Sequence, residues 1–148
     1  PGSVPVAAPL PQLRPSSPNR AKVIAQYKGI DTLTGDGSKG AAHFEALCAA
    51  CHRLDGRGQA VGPDLDMTGN KPAEWLLAAI LDPAQTVESR YRGWNVTRTD
   101  GTAVAGVVAA ETSNNLVLRL PGGTDHAVLR GDIKAMEPIP GSLMPEGF

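Results

Sequence analysis

Residues 48 to 53 read Cys-Ala-Ala-Cys-His-Arg. This stretch constrains the fold more than any other, because both cysteines of the chain fall in it, beside one of its three histidines. A Cys-x-x-Cys pair serves three chemistries: a dithiol redox centre, half of a zinc site, or, when His follows at once, a covalent haem anchor. A redox pair belongs at a helix N-terminus after a strand, where thiolate is stabilised. Here the preceding GAAHFEAL, residues 40 to 47, reads as helix, so the cysteines come at its end. Zinc asks for four ligands. No other cysteine exists, and His43 and His126 form no closely spaced pair. The haem reading uses every residue of the motif: Cys48 and Cys51 as thioether anchors, and His52 as proximal ligand to iron. Phe44, Leu47, Cys48 and Cys51 also fall at i, i+3, i+4 and i+7, which places the anchors on an apolar helical face.

Composition agrees. The 148 residues suit one domain, with room for an insertion. Only two Phe, two Trp and two Tyr are present, a thin aromatic supply that a porphyrin would supplement. A net charge of −1 favours neither nucleic acid nor an anionic membrane. No stretch approaches the roughly 18 apolar residues of a membrane span. The opening PGSVPVAAPLPQLRPSSP lacks the charged and apolar regions of a signal peptide, and a start at Pro1 reads as processed or excised. Covalent haem attachment predicts a periplasmic or otherwise extracytoplasmic protein.

Four segments are expected. Residues 1 to 20, rich in proline, read as a linker or tether. Residues 21 to 82 read as mainly helical, about 91 to 138 as short strands, and 139 to 148 as an irregular tail. A first short helix is predicted over 21–27, stopping before Gly29. Asp36 or Ser38 can cap the helix that leads to Cys48. The stretch after His52, RLDGRGQAVGPDLDMTG, is too glycine-rich for one regular helix. Within it, the Pro63 carbonyl is assigned as acceptor for His52 Nδ1–H, since a metal-bound imidazole needs its second nitrogen bonded; an ordinary Gly-Pro turn is the alternative. NKPAEWLLAAILDP, residues 70 to 83, is predicted as a helix capped at Asn70 or Lys71 and ended by Pro83. Its apolar residues go round most of its circumference, so it should be buried on more than one side. Trp75 is a candidate donor to a haem propionate, with core packing the simpler account.

CAACH, GPDL and LMPEG follow one another in the order found in cytochromes c, which the chain resembles. CAACHRLDGRG, VGPDL, EWLLAAILDP, TRTDGTAVAGVVAAET and SLMPEGF resemble the haem-binding domain at the C-termini of large dehydrogenase-like proteins of Planctomycetes and Verrucomicrobia. The resemblance implies one covalent haem c and electron relay to or from a dehydrogenase, either fused or separate. Two departures stand out. Small cytochromes c have few strands, and they end in a long helix; here the sequence ends at Phe148, so that helix is expected from beyond it or from another chain.

Among Met67, Met136 and Met144, the sixth iron ligand is assigned to Met144. Pro145 holds Met144 extended in a loop, where its thioether can point inward. Met67 follows the proximal loop too closely, and Met136 belongs to a strand. His43 and His126 read as surface residues, as do Arg90 and Arg92; Arg53 and Arg57 are possible partner-orienting charges near the haem edge.

The strands are expected at 94–99, 103–110, 116–120, 126–130 and 133–137, with Asp100-Gly101 closing the first hairpin. The predicted fold class is therefore α+β: a helical cytochrome c-like domain over 21–148 with a small antiparallel Sm- or SH3-like barrel inserted at about 91–138. That barrel is expected to stand apart from the haem crevice, with Arg119 on its free surface. The function expected is outer-sphere electron transfer by a monohaem carrier with His52 and Met144 as axial ligands, and not an enzyme. The alternatives are a haem enzyme or gas sensor with a displaceable sixth ligand, and a haem-anchored interaction module.

Overall fold

A computed structural model describes residues 18–148. Most of the proline-rich linker expected at 1–20 lies outside the described residues. Its last three residues do not continue a linker: Pro18 opens α1 (Pro18–Gln26), three residues before the expected start. Proline suits a first helical turn, since its missing N–H would have no partner there.

Two further helices follow. α2 (Gly37–Leu47) is capped by Asp36, whose carboxylate accepts from the Ser38 and Lys39 N–H groups at 3.0 and 3.2 Å. α3 (Ala73–Leu81) is shorter than expected at both ends. Pro72 occupies its capping position without a side-chain bond, so neither Asn70 nor Lys71 caps it. α1 packs on α3, and Arg20 Nε donates to the Leu81 carbonyl at 2.5 Å. The last carbonyls of a helix have no donor of their own, and a cation there also suits the helix dipole. Within the described residues, α3 is not covered on several sides by protein alone. Only Leu81 is buried, while Trp75 and Ile80 stay 47% and 41% exposed. The described neighbours of α3, α1 and the 30–32 turn, are too short to surround it.

Between α2 and α3 the glycine-rich stretch makes a two-stranded hairpin, β1 (Arg53–Leu54) and β2 (Arg57–Gly58). Asp55 and Gly56 turn it, both with positive φ, at 51° and 74°. Asp-Gly is the pair that such a turn selects.

The second half is a five-stranded antiparallel sheet: β3 (Gly93–Arg98), β4 (Ala103–Glu111), β5 (Asn115–Arg119), β6 (Asp125–Leu129) and β7 (Ile133–Pro138). Every strand lies within one residue of its expected bounds. The spatial order is β6-β5-β4-β3-β7, so the last strand returns to pair with the first. β6 and β7 remain the two edges, and the pairing is that of an open sheet rather than a closed barrel. Alternation decides the inner face. Leu116 and Leu118 pair across from Val128 and His126, and Val96 from Met136. Val96, Leu116, Leu118 and Val128 are at most 1% exposed, with Trp94, Val104, Val108, Ile133 and Met136 packed around them. Each such aliphatic side chain contributes about 1.5–3 kcal/mol by leaving water. Among the described residues the helical half shows no comparable cluster; its buried aliphatic side chains there are Val61 and Leu81.

The tail folds back over the start of the sheet. The Ile139 N–H donates to the Gly93 carbonyl at 2.9 Å, and Leu143 packs directly on Gly93. Gly141 lies beside Ala84, just after α3. The tail thus crosses the junction between helices and sheet.

Candidate functional site

The Cys-Ala-Ala-Cys-His segment begins where α2 ends. Cys48 is the C-cap of α2, and its N–H still bonds the Phe44 carbonyl at 2.8 Å. The chain makes one more turn, in which the Cys51 and His52 N–H groups both donate to the Cys48 carbonyl at 3.0 and 2.9 Å. Cys51 therefore lies just past the helix on which its face was expected. The location bears on the three chemistries, since the thiols follow the C-terminus of a helix and not the N-terminus, where a thiolate is stabilised. Burial pushes both thiols up in pKa, and the neighbouring Cys48 raises Cys51 further. A redox pair needs the opposite shift. Among the described residues, no three His, Cys, Asp or Glu side chains gather as a metal-binding group, which disfavours zinc.

His52 is held from two sides. Its Nδ1 lies 2.8 Å from the Pro63 carbonyl oxygen. A carbonyl only accepts, so Nδ1 carries the proton and the Nε2 lone pair is left for a ligand. The Val61 and Gly62 N–H groups donate to the Cys51 carbonyl at 3.0 and 2.7 Å, which ties this loop to the motif. Gly62 lies against the imidazole itself: a Cβ there would come within 2.7 Å of His52 Cε1. Only glycine lets the loop approach the ring this closely.

The other candidates divide. Met136 is committed to the sheet core, opposite Val96. Met67 lies in the 65–68 turn and is 79% exposed. That turn is fixed to the β1–β2 hairpin through the Asp55 N–H, which donates to Asp66 Oδ1 at 2.8 Å. Met144 is half-buried in the tail that crosses the helix–sheet junction, and its N–H donates to Ser142 Oγ at 3.1 Å. Trp75 is 47% exposed on α3, with Lys71 Nζ 5.4 Å from the centre of its ring. His126 Nε2 accepts from Arg98 Nη2 at 2.9 Å, so its ring belongs to the sheet. Arg90 pairs with Glu88 and stacks over Tyr91, and Arg57 pairs with Glu45 at 3.5 Å, all largely exposed.

One expectation is overturned. The sheet does not stand apart from the attachment segment. The Gly122 N–H, in the β5–β6 turn, donates to the Ala50 carbonyl at 2.8 Å, between the two cysteines. Arg119 Nη1 reaches the Ala60 carbonyl at 3.3 Å. Sequence reasoning missed Gly122 as a neighbour of the motif, because a backbone bond across such a distance leaves no mark in residue type. The Asp55-Gly56 hairpin was missed as well, that stretch being read only as too glycine-rich for one regular helix.

A helix ending in paired thiols, followed by an imidazole whose tautomer leaves Nε2 free, defines a haem-attachment domain of the c type. The sequence model of the cytochrome c family matches residues 37–111, just over half of the 148 residues, and the chain belongs to that family. No curated protein sequence matches it. Family membership implies covalently bound haem, and the residues present fit one: two thiols at anchor spacing, a pre-oriented imidazole, and a glycine that leaves the ring unobstructed. No helix among the described residues is long and apolar enough to cross a membrane.

Proposed function

We propose that this chain is a monohaem electron carrier, working outside the cytoplasm, with His52 and Met144 as the axial iron ligands. The observation that carries the reading is the 2.8 Å bond from His52 Nδ1–H to Pro63, made in the loop directly after the paired cysteines. When bound, haem c supplies a one-electron Fe(III)/Fe(II) couple. Cys48 and Cys51 would hold it through thioethers. Pro63 fixes the tautomer and orientation of His52. The apolar side chains that α2 and α3 leave exposed, Leu47 and Trp75 among them, suit a flat apolar partner. Met144 is favoured as sixth ligand because Met136 is engaged in the sheet core and Met67 sits in the turn that follows Pro63.

The partner we infer is a dehydrogenase, fused or separate. The likeness of EWLLAAILDP and SLMPEGF to haem domains of dehydrogenase-like proteins supports it. The five-stranded sheet is read as an insertion into the haem domain. Its strand order, with the last strand back beside the first, suits an Sm- or SH3-like arrangement.

Absorption spectra of the purified protein in both redox states test the proposal. Low-spin bands in each state, a reversible one-electron couple and no carbon monoxide adduct are expected. High-spin haem that binds carbon monoxide directly overturns the electron-carrier reading in favour of an enzyme or sensor.

A further inference from the structure

The attachment segment has four carbonyls whose partners can be followed in turn. Cys48 accepts from Cys51 and His52, Ala49 from Gln59 at 2.9 Å, and Cys51 from Val61 and Gly62. These donors all lie within the segment or in the loop just after it. The Ala50 carbonyl is different, since its donor is Gly122 in the β5–β6 turn. That turn is built to offer it. The Gly123 N–H closes the turn on the Leu120 carbonyl at 2.9 Å, with Pro121 second and Gly122 third at φ 89°. This is the residue pattern of a type II turn, in which the third position needs positive φ. The Gly122 N–H is not consumed inside the turn and points to Ala50.

Two side chains reinforce the same contact. Arg119 makes a forked pair with Asp125, at 2.7 and 2.9 Å, which orients its remaining nitrogen toward the Ala60 carbonyl. On the other side, Gly123 abuts Gln59: a Cβ there would come within 2.3 Å of the Gln59 amide oxygen. Gln59 and Ala60 belong to the loop that continues into Gly62 and Pro63, the seat of His52. The turn therefore grips both the segment between the cysteines and the loop that orients the proximal ligand.

We propose that the β5–β6 turn is a positioning element of the haem site, so that the sheet tunes the proximal ligand and hence the reduction potential. The proposal rests on the haem-carrier reading above. It gives the sheet a role that a detached insertion could not have: a partner that moves this hairpin would change the redox behaviour of a haem it does not touch.

The test uses the holoprotein. In one variant, Asn-Gly replaces residues 121–123, which keeps a hairpin but withdraws the donor from Ala50. A second, Arg119→Gln, removes the fork without altering the turn. Thr102→Ala, in the β3–β4 turn, is the control; its side chain bonds only Asp100 of its own turn, at 2.7 Å. Both test variants are expected to retain covalent haem while their midpoint potentials and low-spin ferric g-values shift. The control is expected to match the wild type, and the wild-type Gly122 amide to exchange slowly with solvent. Unchanged potentials and g-values in both test variants, or an equal shift in the control, overturn the proposal. A wild-type protein without covalent haem overturns the haem-carrier reading, and this one with it.

Discussion

His52 Nδ1 and the Pro63 carbonyl oxygen lie 2.8 Å apart, although eleven positions separate them in the sequence, because the loop between them turns back to the imidazole. The loop can do this because Gly62, the residue before Pro63, has no side chain to strike the ring. Gly62→Ala should force the ring or the loop to move. We expect retained covalent haem, a shifted midpoint potential and an altered proximal-ligand signature by magnetic resonance. Identical values in variant and wild type would show that the loop yields without disturbing the ligand.

Attachment itself is open to direct measurement. Haem should survive acid–acetone extraction and denaturing electrophoresis, and the intact mass should rise by one haem. Cys48→Ser or Cys51→Ser should each leave a single thioether, and the double variant none. Freely extractable haem in the wild type would contradict attachment through these thiols.

For the sixth ligand, Met144→Ala should abolish the sulfur-to-iron charge-transfer band of the ferric protein and admit carbon monoxide. Met136→Ala should leave the band in place and instead destabilise the sheet by about 1–3 kcal/mol, as expected for a partly buried methionine. Gly93→Ala is a subtler probe. Its Cβ would come within 2.7 Å of Leu143 Cγ, next to Met144, so the band should weaken or shift. Loss of the band in Met136→Ala would reverse the assignment.

The sheet core has its own prediction. Leu118 is fully buried among Val96, Leu116 and Val128. Leu118→Ala should cost about 2–5 kcal/mol by thermal or denaturant unfolding, the sum of lost transfer energy and the remaining cavity. A loss well under 1 kcal/mol would indicate that the core repacks freely.

Acid sensitivity has a definite sign at the start of α2. The Ser38 side-chain hydrogen bond, then the Lys39 N–H, hold the Asp36 carboxyl below its ordinary 3.8. A carboxylate lowered in the folded state adds stability that is complete above the unfolded value and fades as pH falls through the folded one. Asp36→Ala should therefore melt below the wild type at neutral pH, with the gap narrowing as pH drops below 3.8. A gap that stays constant through that range would assign the cap's worth to something other than its charge.

Local chemistry made much of this protein readable. Cys48, Cys51 and His52 pointed by type and spacing to a haem anchor rather than to a redox pair or a zinc site, and the cytochrome c family match agrees. Once a metal-bound imidazole is inferred, Pro63 follows from the need to satisfy its second nitrogen. Period-two alternation and turn residues located all five strands of the sheet within a residue, because those signals lie within a few positions of each other. The ends of α3 were less legible, since Pro72 can stand at a cap as well as inside the first turn. What only the tertiary structure decided was where the sheet lies. Gly122 reaches Ala50 through main-chain atoms that every residue carries, and the Arg119 guanidinium meets at Ala60 a carbonyl that every residue carries too. Such bonds have no signature in side-chain identity, so a surface hairpin in the sequence became, in the fold, a support of the haem-attachment segment.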